Sequence, residues 1–351
     1  MSLVLDGIGY ARGADVHVAD VSLELERGSM NVLLGPTLSG KTTLMRLMAG
    51  LDRPTAGRLV ADGRDVTGLG VKHRSVAMVY QQFVNYPTLT VYENIASPLR
   101  VQGLPAGDIE ARVAHAAKLM RLEPMLERLP AQLSGGQQQR TALARALVKR
   151  AKLVLLDEPL ANLDYKLREE LREELPRLFA ETGAILVYAT TEPAEALLLR
   201  GRTTTLSEGR VTQFGPTPRV YREPDNLQAA RAFSDPSLNE LPAAAVGSAP
   251  AGAAVVAFRA DAATVVAGSG PPGAAFPGTV AVTEISGSES FIHVVTDAGL
   301  GTLVCMIEGV HAFEPGDRVA ARIDLARAFA FGPDGRRIAA AAPAAREAVP
   351  A

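Results

Sequence analysis

The sequence predicts an α/β domain built on buried strands, followed by a small all-β barrel, and three observations carry that prediction. Gly35-Pro36-Thr37-Leu38-Ser39-Gly40-Lys41-Thr42 fits the phosphate-loop pattern G-x-x-x-x-G-K-[ST]. It lies between a short apolar strand, Met30–Leu34, and a helically spaced run, Thr43–Ala49, that stops at Gly50. Further strand-sized apolar runs stand at Val76–Tyr80, Leu153–Leu156 and Ile185–Ala189, separated by helical patterns. From Asp235 the text turns rich in Pro, Ala, Ser and Gly, then becomes a series of short alternating strands without helices.

Composition sets the outer bounds. The chain has 351 residues, room for one large and one small domain. A net charge of −2 gives no basic field to argue for nucleic acid. A single cysteine, Cys305, excludes an internal disulfide and suits a reducing compartment. No apolar run approaches membrane-spanning length, and Met1 leads straight into an alternating pattern with no secretory core. A soluble intracellular protein is the expectation.

In chain order, Leu3–Ile8 and Val16–Leu25 alternate as two antiparallel strands closed by Arg27-Gly28. Tyr10 lies between them. An aromatic there has two readings, a stack on adenine or the cap of a small core, and spacing does not choose. In the phosphate loop, backbone N–H groups and the helix dipole converge where a triphosphate can sit. Lys41 would reach the outer phosphates and the Thr42 hydroxyl would ligate Mg²⁺. Leu38 is bulky for a loop that must fold tightly. Gln81 stands at the exit of Val76–Tyr80, either a ligand for a metal or water or a plain loop glutamine.

Thr90–Arg100 and Ile109–Leu122 read as helices of an insert punctuated by Pro87, Pro98 and Pro105 and ending at Pro130. Next, Leu133-Ser134-Gly135-Gly136-Gln137 opens the helix Gln137–Val148, with Ser134 as N-cap, making a second anion site. Leu153–Leu156 ends in Asp157 and Glu158. One acid there can hold Mg²⁺ through water and the next can polarise an attacking water. Leu167–Phe179 reads as a charged helix interrupted by Pro176, and Glu192–Leu199 as another helix. The expected boundaries are 1–234 for the first domain with a helical part at about 85–150, 235–252 for a linker, 253–339 for the barrel, and a disordered tail over 340–351.

Phosphate loop, Gln81, Leu133–Gln137 and Leu155–Glu158, in that order, resemble the ATP-binding subunits of ABC transporters. The resemblance implies a cassette with a mixed-sheet core, a helical subdomain and an antiparallel β subdomain. Val76–Gln81, Tyr86-Pro87, Leu89–Ile95 and Gly215–Pro218 look like the sugar-importer branch. The barrel is similar to the oligonucleotide-binding-like (TOBE) regulatory domain of maltose and glycerol-3-phosphate importers. Carried over, Tyr10 would stack on adenine, and Gly35, Pro36, Thr37, Leu38, Ser39, Gly40, Lys41, Thr42 and Thr43 would hold the phosphates of ATP. Mg²⁺ would be held by Thr42, Gln81 and, through water, Asp157, with Glu158 as general base. Leu133, Ser134, Gly135, Gly136 and Gln137 would complete the ATP site of a partner in a head-to-tail dimer, with Asp164 at that interface.

Two departures stand out. Thr191 occupies the place where the family carries a histidine, and Leu38 stands where relatives usually carry glycine. Both fall on the half-site built from this chain's own phosphate loop. The implied function is ATP hydrolysis powering import of a carbohydrate or polyol, with glycerol or glycerol-3-phosphate among the candidates. The implied partners are permease subunits, a periplasmic or extracellular substrate-binding protein and a second ATPase in a heterodimer, on the cytoplasmic face of the cell membrane. Two other readings are a weakly hydrolysing subunit beside an active one, and a soluble ABC protein acting on ribosomes or DNA.

Overall fold

The computed structural model describes residues 1–161, 165–267 and 275–338. The expectations for Asp164 and for the tail lie outside the described residues. The chain parts into two compact units, Met1–Val220 and Tyr221–Ala351.

In the first unit, β1 (Leu3–Arg12), β2 (Asp15–Leu25), β3 (Met30–Leu34), α1 (Lys41–Ala49), β4 (Ala56–Ala61), β5 (Arg64–Asp65) and β6 (Val76–Val79) follow one another. The insert supplies α2 (Val91–Val101), α3 (Ala106–Leu119) and α4 (Gly135–Val148). The unit then closes with β7 (Leu153–Asp157), α5 (Tyr165–Thr182), β8 (Ile185–Thr190), α6 (Pro193–Leu199), β9 (Arg202–Ser207) and β10 (Arg210–Pro216). One sheet has the order β10-β9-β3-β8-β7-β6, with β3 parallel to both β8 and β9, and β7 parallel to both β6 and β8. The other is antiparallel, in the order β2-β1-β4-β5. The buried side of α1 (Leu44, Met45, Leu47, Met48) shares a core with Leu5, Val21 and Leu59 of the antiparallel sheet and Leu33, Leu155 and Val187 of the mixed one. That packing fixes the phosphate loop, which joins β3 to α1.

Two of the insert's helices are started by side chains. Thr90 Oγ1 accepts from Glu93 N–H while Glu93 accepts from Thr90 N–H, and Ser134 and Gln137 repeat the exchange at the start of α4. The proline expected to interrupt a helix, Pro176, does not do so. Pro98 lies inside α2, and α5 runs unbroken through Pro176. A proline forfeits one helical bond, and buried Leu171 and Leu175 hold α5 in place despite the loss.

The second unit begins within α7 (Thr217–Arg222) and continues with α8 (Leu227–Ala232). The segment after Val220 therefore packs with the barrel rather than the cassette. Arg259 explains this: its guanidinium lies 3.9 Å over the Tyr221 ring and donates to the Tyr221 and Phe233 carbonyls. The strands are β11 (Asn239–Pro242), β12 (Val255–Phe258), β13 (Ala263–Ala267), β14 (Ala275–Ile285), β15 (Glu289–Thr296), β16 (Thr302–Glu308), β17 (Arg318–Ile323), β18 (Phe329–Phe331) and β19 (Arg337–Ile338). They form antiparallel sheets ordered β11-β12-β18-β19 and β13-β17-β14-β15-β16 around Leu241, Phe258, Ile292 and Cys305. The expected linker thus contains a strand. Its anchor is polar: buried Asn239 donates to the Val304 carbonyl and accepts from the Val304 N–H, doing for β16 what a strand partner would.

Candidate functional site

At the end of β3 the chain turns through the phosphate loop into α1. Gly40 takes φ +99 as the helix N-cap, and Lys41 is buried. Its Nζ donates to the carbonyls of Gly35 (2.7 Å) and Pro36 (2.9 Å). Burial pulls the Lys41 ammonium below its ordinary pKa, against the pull of Glu158 and Asp157. Ser39 is buried as well, and its hydroxyl has no partner among the described residues. Such a group is costly unless something polar arrives to meet it.

The acids come from the neighbouring strand. Asp157 ends β7 and accepts from the Thr42 hydroxyl at 2.7 Å. Burial raises its pKa, while the Thr42 bond and Lys41 oppose the rise. Glu158 follows at φ +45, held there by its N–H donating to the Ala189 carbonyl at 3.0 Å. Its pKa is also raised, chiefly by burial. Gln81 Nε2 donates to Glu158 Oε2 at 2.8 Å. A cavity of about 260 Å³ joins Gln81 and Glu158 to residues 37–43, with His17 on its rim.

The structure thus brings together Lys41, Thr42, Asp157, Gln81 and Glu158. Other expected residues lie elsewhere. Tyr10 does not line the cavity; its ring packs against the first unit's core. Thr191 is exposed at the end of β8 and does not line it either. Ser134 and Gly135 are exposed at the start of α4 and do not line this chain's own cavity. Leu38 lines the cavity at φ +67 with 95% of its surface exposed. His17 was not legible in the sequence. It reads there as one more position of an alternating strand, and only the fold sets that strand against the loop.

The donor set suits Mg²⁺ brought in with a triphosphate. Thr42 and Asp157 offer hard oxygens already 2.7 Å apart, and such ions take few protein ligands beside phosphate oxygens.

Known proteins resolve what this arrangement is. The ABC transporter family matches residues 18–161, and the TOBE domain matches residues 272–329. The lactose transport ATP-binding protein of Rhizobium radiobacter is 35% identical over 95% of this chain and 98% of its own. An sn-glycerol-3-phosphate import ATP-binding protein of Agrobacterium fabrum is 37% identical over 96% of this chain and 99% of its own. The chain is an ABC-transporter ATP-binding subunit. Its cassette resembles a solved dimeric ATP-binding cassette, in a post-hydrolysis state bound to ADP and Pi, with TM-score 0.56 and 29% identity over 61% of this chain and 98% of that one. ABC subunits of this kind are ATPases that work with membrane permeases. No described helix of this one is long and apolar enough to cross a membrane.

Proposed function

We propose that this ABC subunit binds and hydrolyses ATP to energise import of a carbohydrate or polyol, glycerol-3-phosphate and glycerol among the candidates. The reading rests on the convergence of Thr42–Asp157 and Gln81–Glu158 beside Lys41, in a chain that matches import subunits end to end. Lys41 leaves the loop carbonyls for the outer phosphates, and the orphaned Ser39 hydroxyl gains a phosphate partner. Mg²⁺, held by Thr42, Gln81 and, through water, Asp157, would supply charge neutralisation at the terminal phosphates. Glu158 accepts the proton of the attacking water while Gln81 holds the carboxylate in place.

Ser134–Gln137 complete the ATP site of a second subunit in a head-to-tail dimer. A groove of about 500 Å³ between β6 and the insert, lined by Ala77, Met78, Tyr86, Pro98, Arg145 and Lys149, takes the permease. The working place is the cytoplasmic face of the membrane, with a substrate-binding protein on the other side. The second subunit is a different ATPase. Leu38 lines this chain's own cavity and Thr191 follows β8, the strand whose Ala189 carbonyl holds Glu158, whereas Ser134–Gln137 keep the partner's site competent. Losing one transition-state contact typically costs about 10²–10³ in rate. A homodimer would carry that loss at both sites.

The test is transport by the assembled complex with Glu158→Gln in this chain, and separately with the equivalent acid replaced in the second ATPase. Only the second replacement should stop transport. Rapid hydrolysis by this chain alone would end the heterodimer reading, and undiminished ATP binding in both Lys41→Ala and Thr42→Ala would end the ATP-site reading.

A further inference from the structure

Glu158 is the group that must point at the attacking water, yet its own backbone is unfavourably placed. It follows the last residue of β7 at φ +45, a conformation that an L-residue keeps only when its surroundings hold it there. Its N–H donates to the Ala189 carbonyl at 3.0 Å. That carbonyl sits in the peptide plane joining Ala189 to Thr190, the last residue of β8. Any tilt at Thr190 therefore turns the acceptor away from Glu158.

Thr190 is not left to packing alone. Residues 188 and 190 lie on one face of β8, either side of Ala189. Both hydroxyls end on the same atom: Tyr188 donates to Glu195 Oε2 at 3.1 Å, and Thr190 donates to it at 2.6 Å. All three side chains are buried. Glu195 comes from α6, and its other oxygen, Oε1, accepts from Arg172 of α5 at 3.2 Å. Arg172 also donates to Glu169 and Glu192, which keeps the guanidinium seated. Burial and the neighbouring carboxylate hold the Tyr188 phenol well above its ordinary pKa, so it stays a donor. The Glu195 carboxylate thus grips β8 on both sides of the residue that anchors Glu158.

Stability alone does not call for this arrangement. A buried carboxylate with its partners is often no more stabilising than apolar residues of the same volume. What apolar residues cannot do is fix the direction of two hydroxyls and, through them, of one peptide plane. We infer that Glu195 is a positioning residue for ATP hydrolysis: by stapling Tyr188 and Thr190 it aims the Ala189 carbonyl that holds Glu158. The inference rests on the ATP-site reading above, with Glu158 as general base. Neither Glu195 nor Tyr188 nor Thr190 lines the cavity, so the staple acts on the rate and leaves nucleotide binding alone.

The experiment follows single-turnover hydrolysis of Mg-ATP in the assembled complex, with the second ATPase's equivalent acid replaced so that the remaining turnover is this chain's. The rate constant reports on the chemistry, and the amplitude counts folded, loaded sites. Glu195→Ala should slow the rate constant about tenfold or more, with ATP affinity unchanged. Tyr188→Phe and Thr190→Val each remove one hydroxyl at nearly constant volume, and each should slow it by a smaller factor. Glu195→Gln, whose amide oxygen still accepts both hydroxyls, should recover most of the rate. A role confined to folding would lower the amplitude and leave the rate constant in place, and that result overturns the inference. So does an unchanged rate constant in both Tyr188→Phe and Thr190→Val, or a Glu195→Gln rate as low as that of Glu195→Ala. A wild-type rate no higher than that of Glu158→Gln defeats instead the reading of Glu158 as base, and the staple's role falls with it.

Discussion

Leu38 holds a left-handed backbone conformation that costs an L-residue about 1–2 kcal/mol, and its exposed side chain returns no packing. Leu38→Gly should therefore leave the cassette at least as stable as the parent. It should also be about 1 kcal/mol more stable than Leu38→Ala, which keeps the strained φ without the side chain. Thermal denaturation of the two variants decides the matter, and equal melting points would show that the loop relaxes around either residue. Asp157 makes a second prediction. Burial holds its carboxyl above the ordinary aspartate range, so protons compete with Mg²⁺ at a higher pH than at a free aspartate. The sign follows: Mg²⁺-dependent ATP affinity is full at neutral pH and falls on acidification, starting above about pH 3.9, the reference aspartate value. The same carboxylate costs folding stability at neutral pH, and that cost is relieved as pH falls through its raised value. Titrations run downward from neutral pH should show a steeper loss in the parent than in Asp157→Asn, where only the nucleotide's own phosphates take up protons.

Elements are where side chains fixed geometry that no motif displays. Glu195, buried on α6, accepts from the Tyr188 hydroxyl at 3.1 Å, from Thr190 Oγ1 at 2.6 Å and from Arg172 of α5 at 3.2 Å. Thr190 Oγ1 in turn accepts from Glu192 N–H at 2.9 Å. The network fixes the exit of β8 immediately before Thr191. Glu195→Ala should cost about 2–3 kcal/mol in denaturant unfolding, the scale for buried bonds to a charged group. A loss below about 0.5 kcal/mol would mean the network contributes little to stability. The sequence shows α6 by its periodicity, but nothing in that periodicity marks Glu195 as interior. A glutamate among apolar neighbours reads as the solvent face until its partners arrive from β8 and α5.

For the whole molecule, what was legible follows chemistry that is local in sequence. The phosphate loop, the two acids at the end of β7 and the capped start of α4 are each contiguous, and the fold brings the first two together through the Thr42–Asp157 bond. His17 and the anchor Asn239 were not legible, because each acts on a strand distant in sequence. The division at Val220 was hidden for the same reason: residues 221–234 are held by Arg259, which composition cannot signal. A chain ending at Arg222 should fold and bind ATP. One ending at Ser234 would carry Phe233, Ala229 and Ala230, buried in the intact protein, into water. We expect the shorter fragment to run as a single species in size-exclusion chromatography and the longer one to associate. The reverse order would place the boundary after residue 234.

The Lys41 ammonium resting on the Gly35 and Pro36 carbonyls has one more consequence. The resting loop already holds a ligand, the chain's own cation, so a nucleotide enters by exchange. Each lysine–carbonyl bond given up is of the charge-assisted kind, on the order of 1.5–3 kcal/mol. Only a molecule bringing outer phosphates has the negative charge to draw the ammonium away. Adenosine and AMP, however well their base is seated, have nothing to offer in trade, and the loop stays shut to them.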